Sequence, residues 1–312
     1  PERIRKLAEA LPVDAAMKAI VQKERAVVAL VYRAQGAKTA EKDHTRSTLG
    51  LAICTPDLRL IVRLAEPVMQ PEEPYEDLGV EDPRITRVGD QYLMVYTGYG
   101  SGAGANRVRI ILATSTNLVH WKKHGMVRGD FNTIDNKNGM LFDPAPDKPW
   151  RMLHRPMEGK DAMKVHWAES AHLFGEWKSR GVLLPWIPDP AFKDVWTGGG
   201  APPLRCADGS YIVLYHIGKR DAAGTREYDL GIALVDPEAA DPVVLRAEPL
   251  MRPETPQETT GDEDLGVNNV VFICGAYFWE GDLYFTYQGS VTRILGARIV
   301  RGELDRFLNA RR

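Results

Sequence analysis

Ala65-Glu-Pro-Val-Met-Gln-Pro71 is written a second time as Ala247-Glu-Pro-Leu-Met-Arg-Pro253, and Glu76-Asp-Leu-Gly-Val80 a second time as Glu263-Asp-Leu-Gly-Val267. The copies lie 182 and 187 residues apart. Just beyond them the sequences part: the first continues Glu81-Asp82-Pro83-Arg84 and the second Asn268-Asn269-Val270-Val271. One copy thus carries an acid, Asp82, where its sibling carries an amide, Asn269. A duplicated scaffold with an unmatched carboxylate points to a site built on one unit of a repeating fold.

Elsewhere in the chain five short apolar runs end in an aromatic residue or a histidine: Val27–Ala34, Tyr92–Tyr99, Trp150–Met157, Tyr211–Gly218 and Leu283–Ser290. Their anchors, Tyr32, Tyr96, His154, Tyr215 and Tyr287, are 64, 58, 61 and 72 residues apart, and three steps of this size account for the offset of 182. Each of the first four runs has a second apolar piece: Leu49–Ile53, Ile111–Trp121, Val165–Trp177 and Leu230–Val235. Turn signals at Gly89-Asp90, Asp208-Gly209 and Gly281-Asp282 read as tight antiparallel connections. A unit of three or four short strands cannot bury both faces alone. Five stacked radially make an all-β, five-bladed β-propeller over residues 26–312. A β-sandwich with accidental internal similarity is the competing architecture. Residues 1–25 read as a helical extension, with Ile4, Leu7 and Leu11 on one face, a break at Pro12 and Asp14 as a cap. That segment either packs outside the propeller, where it could join a homo-oligomer, or closes the fold at its N-terminus.

With 312 residues, 44% of them hydrophobic, the chain can bury a large core. A net charge of −2 against 40 basic residues gives no global field for nucleic acid or an anionic membrane. Three widely spaced cysteines, Cys54, Cys206 and Cys274, argue against a disulfide framework or a zinc site and for a reducing cytoplasm. No apolar run is long enough to span a bilayer. No metal site is expected: His120 and His124 fall in strand and turn, where their spacing has no ligand geometry. Gly98–Gly104 and Gly198–Gly200 lack the features of a nucleotide-binding glycine loop.

The residues following the anchors are Arg33, Thr97, Arg155, His216 and Gln288. Equivalent inner-strand ends of a propeller face a common funnel, so Arg155 and His216 are candidates to meet at one ligand. Arginine is shaped for bidentate contact with phosphate. Lys137, Tyr228 and Lys219 are placed to extend a basic pocket, although for Lys219 a solvated surface charge is the plainer alternative. Proline after Asp82 biases that residue toward extended backbone. Glu81 is expected to pair with Arg84. Cleaving a glycosidic bond requires a proton for the leaving oxygen, and inverting hydrolysis also requires a base to activate water. Phosphate, already an anionic nucleophile, removes the second requirement. One positioned acid beside a basic cluster therefore signals phosphorolysis.

Val80–Thr86, Met152–Pro156, Trp196–Pro203, Tyr215-His216, Tyr228–Gly231 and Asn269–Gly275 resemble, in order, the motifs of glycoside hydrolase family 130, the β-mannoside phosphorylases and their mannosidase relatives. The resemblance runs from about residue 27 to residue 300. It implies a five-bladed propeller and an inverting reaction in which phosphate attacks the anomeric carbon of a β-linked mannoside, releasing α-mannose 1-phosphate and a shortened acceptor. By motif position Asp82 resembles the general acid, acting through a sugar hydroxyl. Lys137, Arg155, His216 and Tyr228 match phosphate-binding positions, with Lys137 where arginine is usual. Arg46 resembles the family arginine near the glycosyl subsite, and Glu81 and Asn269 are further candidates for substrate binding. No cofactor is implied beyond phosphate as co-substrate, and the partners are a small oligosaccharide and phosphate. Val291 stands near the place of a sugar-contacting aspartate. Two alternatives remain: an inverting hydrolase using Asp194 or Glu227 as base, and a non-catalytic sugar-binding propeller presenting Trp121, Trp177, Trp186 and Trp196 as stacking faces.

Overall fold

The computed structural model describes residues 1–38, 45–101, 107–261 and 267–310. The second copy at 263–266 and residues 102–104 of the glycine-containing stretch lie outside the described residues. The chain divides into two compact units, Pro1–Lys137 and Asn138–Arg312.

The first unit opens with α1 (Glu2–Ala10) and α2 (Ala15–Lys23). Asp14 caps α2 as expected, its carboxylate accepting the Met17 N–H at 2.8 Å. Leu7, Ala8, Leu11 and Val21 are buried in one cluster with Leu51 and Ile53. The apolar face of the helical segment is therefore buried within its own unit. Two antiparallel meanders follow. The first is β1 (Val28–Lys38), β2 (Thr45–Cys54) and β3 (Leu60–Arg63); the second is β4 (Gly79–Val88), β5 (Gln91–Gly100), β6 (Arg107–Ser115) and β7 (Lys122–Met126). A parallel bridge from Ser47 to Gly79 joins them. Gly79 has φ +151°, and a Cβ there would lie 2.2 Å from Ser47 Oγ, so the approach of the two strands requires glycine.

The second unit holds three more meanders. These are β8 (Asn136–Leu141), which straddles the boundary, with β9 (Trp150–Pro156), β10 (Val165–Ser170) and β11 (Lys178–Leu184); then β12 (Asp194–Gly199), β13 (Leu204–Arg205), β14 (Tyr211–Arg220), β15 (Arg226–Val235) and β16 (Val243–Met251); then β17 (Val271–Trp279), β18 (Asp282–Gly289) and β19 (Arg293–Ile299). A short α3 (Pro256–Thr259) precedes the last meander and α4 (Arg301–Asn309) follows it, burying Leu304 against Leu283 and Phe285. The five anchored runs fall on β1, β5, β9, β14 and β18, so each meander carries one.

Bonding explains why four anchors are tyrosines. Tyr96 Oη donates to Glu76 at 3.0 Å and Tyr287 Oη to Glu258 at 2.7 Å. Each carboxylate also accepts two backbone N–H groups, Glu76 from Glu72 and Glu73, Glu258 from Glu254 and Thr255. Glu76 and Glu258 are 182 residues apart, so the repeat continues through this staple, which hangs a loop on the anchor tyrosine. The larger offset of 187 arises because the path from Glu258 to Asn269 is five residues longer than that from Glu76 to Asp82. Tyr215 Oη donates to Glu248 at 2.7 Å, and Tyr32 Oη accepts from Arg63 at 2.6 Å. Desolvation pushes the Tyr96, Tyr215 and Tyr287 hydroxyls up, and their carboxylate partners add to it, so all three remain donors.

Candidate active site

Asp82 lies on β4 at a register shift between Glu81 and Arg84. Its φ is +52°, left-handed rather than the extended geometry expected before proline. The Arg84 guanidinium, fully buried, donates to the Asp82 carbonyl at 3.0 Å and stands 3.8 Å from its carboxylate. Aspartate is among the few side chains that tolerate this conformation. Asn269, its counterpart, has φ +57°, so the acid and the amide occupy the same backbone state. Glu81 does not pair with Arg84 as expected. It takes Ser47 Oγ and Arg33 Nε, both at 3.2 Å, because the left-handed residue between them turns Arg84 to Asp82. Arg46 is exposed, and its Nη2 donates to the Pro71 carbonyl at 3.1 Å. The first unit thus presents a partly exposed carboxylate at residue 82, beside a second held by Arg33 and Ser47.

In the second unit Arg155 on β9 and His216 on β14 meet. Arg155 Nη1 lies 3.2 Å from His216 Nε2, and the two residues are 4% and 1% exposed. A guanidinium can only donate, so Nε2 accepts and the imidazole carries its proton on Nδ1. Gly198 makes the contact possible: a Cβ there would sit 2.2 Å from His216 Nε2 and 2.8 Å from Arg155 Nη1. Phe272 packs on His216 at 4.6 Å between ring centroids, and Tyr228 stands 5.8 Å from the same ring. Trp196 meets Tyr228 edge to face at 5.5 Å, lying over Gly218, where a Cβ would fall 2.0 Å from its ring. The Tyr228 N–H donates to the Asn269 carbonyl at 2.9 Å, so Asn269 positions Tyr228 through its backbone. Arg155, His216, Tyr228 and Asn269 therefore belong to one cluster, to which Trp196, Phe272 and Gly198 are additions. Gly198 and Trp196 were legible as part of Trp196–Pro203, but neither residue advertises its partner. Lys137 is half-buried at the start of β8.

Lys219 is neither surface charge nor part of this cluster: it is buried against Asp229, with Nζ–Oδ2 2.6 Å. The bases considered for hydrolysis are tied to cations, Glu227 to Lys219 at 3.4 Å and Asp194 to Arg220 at 3.6 Å. Trp121 and Trp177 donate to the carbonyls of Leu118 and Leu173 and are structural. His124 bonds Thr114 at 2.8 Å, and His120 bonds Asn117 at 3.2 Å.

A family model described as beta-1,4-mannooligosaccharide phosphorylase matches residues 14–308. The chain belongs to glycoside hydrolase family 130. Among characterised members, the 1,2-beta-oligomannan phosphorylase of Thermoanaerobacter sp. (strain X514) is 32% identical over 87% of this chain and 84% of its own. The beta-1,2-mannobiose phosphorylase of the same strain is 30% identical over 86% of this chain and 82% of its own. The structure of beta-1,2-mannobiose phosphorylase from Listeria innocua, solved with beta-1,2-mannobiose, superposes with a TM-score of 0.71 at 22% identity, covering 85% of this chain and 70% of that one. That likeness shows the fold, and the five antiparallel meanders among the described residues agree in number with the blades of the family's β-propeller. No helix among the described residues is long and apolar enough to cross a membrane.

Proposed function

We propose that this chain is an inverting glycoside phosphorylase that cleaves a β-1,2-linked mannoside with inorganic phosphate, giving α-mannose 1-phosphate and a shortened acceptor. The observation that carries the assignment is the buried contact of Arg155 with His216, framed by Gly198 and backed by Tyr228. A guanidinium fork, an imidazole N–H and a phenol are donors suited to a phosphate oxyanion. The named activities of the two Thermoanaerobacter relatives favour the β-1,2 linkage over the β-1,4 linkage of the family description.

In this mechanism a phosphate oxygen forms its bond to the anomeric carbon on the face opposite the leaving oxygen. The glycosidic C–O bond breaks with its electron pair going to that oxygen, and the proton supplied from Asp82, directly or through a sugar hydroxyl, neutralises it. Attack from the opposite face turns the β-linkage into an α-phosphate. Arg155, His216 and Tyr228 hold the phosphate, with Lys137 adding positive charge; Arg46, Glu81 and Asn269 serve the sugar. Arg33 and Ser47 orient the Glu81 carboxylate, which suits it to accept from sugar hydroxyls rather than to activate water. No cofactor enters the reaction. Hydrolysis is the weaker alternative, because Asp194 and Glu227 are engaged by Arg220 and Lys219. The wide spacing of the three cysteines fits a reducing cytoplasm. Product analysis decides the linkage: β-1,2-mannobiose and β-1,4-mannobiose are each incubated with phosphate, and faster release of mannose 1-phosphate from the β-1,4 isomer contradicts the assignment.

A further inference from the structure

We infer that the buried Lys219–Asp229 pair is a positioning device for the phosphate-binding face, tying β14 to β15 from behind and so fixing His216 relative to Tyr228. The inference rests on the phosphorylase function proposed above.

The register of β14 and β15 pairs His216 with Leu230, Ile217 with Asp229, Gly218 with Tyr228 and Lys219 with Glu227. Side chains alternate along a strand, so His216 and Tyr228 occupy one face of this ribbon while Lys219, Glu227 and Asp229 occupy the other. Lys219 does not stop at its direct neighbour. It reaches diagonally past Glu227, at 3.4 Å, to Asp229, at 2.6 Å. A diagonal tie resists both slip and change of twist, whereas a directly opposed pair resists neither as well. Asp229 sits at the register step between the two site residues, and Arg252 stands 3.6 Å from the same oxygen.

Stability does not account for this pair. Asp229 is 1% exposed and Lys219 6%. The other Asp229 oxygen has no hydrogen-bond partner among the described residues, and burial pushes the carboxyl up. An ion pair taken out of water with a lone oxygen unsatisfied is commonly matched or exceeded in stability by apolar side chains of similar volume. The role left to this pair is to align the strands that carry it. The strands here carry two of the four proposed phosphate ligands, His216 on β14 and Tyr228 on β15.

The double variant Lys219→Met/Asp229→Leu separates alignment from stability. Wild-type and variant are compared by melting temperature and by KM for inorganic phosphate and for β-1,2-mannobiose. The expected result is an unchanged or higher melting temperature, a KM for phosphate raised roughly tenfold or more, and a KM for mannobiose within about twofold. An unchanged KM for phosphate in the folded variant overturns the inference, as does a parallel rise in both KM values, which marks a merely structural role. If the double variant does not fold, Asp229→Asn, which keeps the volume, is judged by the same two KM values. Wild-type turnover independent of phosphate removes the proposed function itself and this inference with it, so the two failures are told apart by the wild-type measurement alone.

Discussion

Asp82 and Asn269 share a left-handed backbone, and this makes the sharpest test of the acid a conservative one. Asparagine already serves at the equivalent place, so Asp82→Asn removes the proton without adding strain. The expected outcome is a fall in kcat of about 10²–10⁴-fold with a melting curve that overlays the wild type. Asp82→Ala loses activity equally but also melts earlier, since alanine at positive φ is destabilised by roughly 1 kcal/mol. The candidate acid was legible because its sibling is an amide. Its backbone state was not, because proline at 83 argues for extended geometry and the restraint that overrides it, the Arg84 guanidinium on the Asp82 carbonyl, comes from side-chain geometry. The partner of Glu81 was missed for the same reason: Arg33 is 48 positions away in sequence, and only strand pairing brings it within reach.

Strands and loops set the next scale. Gly198 on β12 gives His216 and Arg155 their space, so Gly198→Ala must displace one of them. We expect KM for phosphate to rise by roughly tenfold while KM for mannobiose holds, measured by initial rates at varied phosphate. The two carboxylate staples supply a comparison within the molecule. Glu76 also holds Lys123, whereas among the described residues no cation is within ion-pair reach of Glu258. Burial pushes the Glu258 carboxyl up, but the N–H groups of Thr255 and Glu254 and the Tyr287 hydroxyl outweigh it and hold it below the usual range. Removing one donor from so dry a carboxylate costs about 1–3 kcal/mol, so Tyr287→Phe should destabilise more than Tyr96→Phe in urea titrations. The repeat was visible as words in the sequence, and its offset of 182 joined the right residues. That it encodes a staple on the anchor tyrosines was not visible, since nothing in Glu258 itself distinguishes a loop tie from a surface charge.

At the scale of the whole molecule, burial and the neighbouring His166 push His154 down to about 3. The unfolded chain binds a proton on this residue near pH 6.5, and the folded chain does not until far lower, so its contribution to stability is complete above pH 6.5 and is lost as pH falls toward 3. One such group gives a slope of about 1.4 kcal/mol per pH unit across that window. Urea titrations at pH 7 and pH 5 should show the loss, and His154→Phe, if it folds, should flatten it. The five anchored runs became five antiparallel meanders, and the N-terminal helices formed where Asp14 and Pro12 place them, because periodicity and caps are local signals. The sequence left outer packing and closure open for α1, and the structure buries Leu7 and Leu11 with Leu51 and Ile53 of the same unit. Phosphorolysis by the wild-type enzyme is read out by ³¹P NMR with β-1,2-mannobiose as substrate. The expected spectrum shows α-mannose 1-phosphate formed mole for mole with free mannose and no cleavage without phosphate; mannose released at the same rate in phosphate-free buffer, with no sugar phosphate signal, would rule phosphorolysis out.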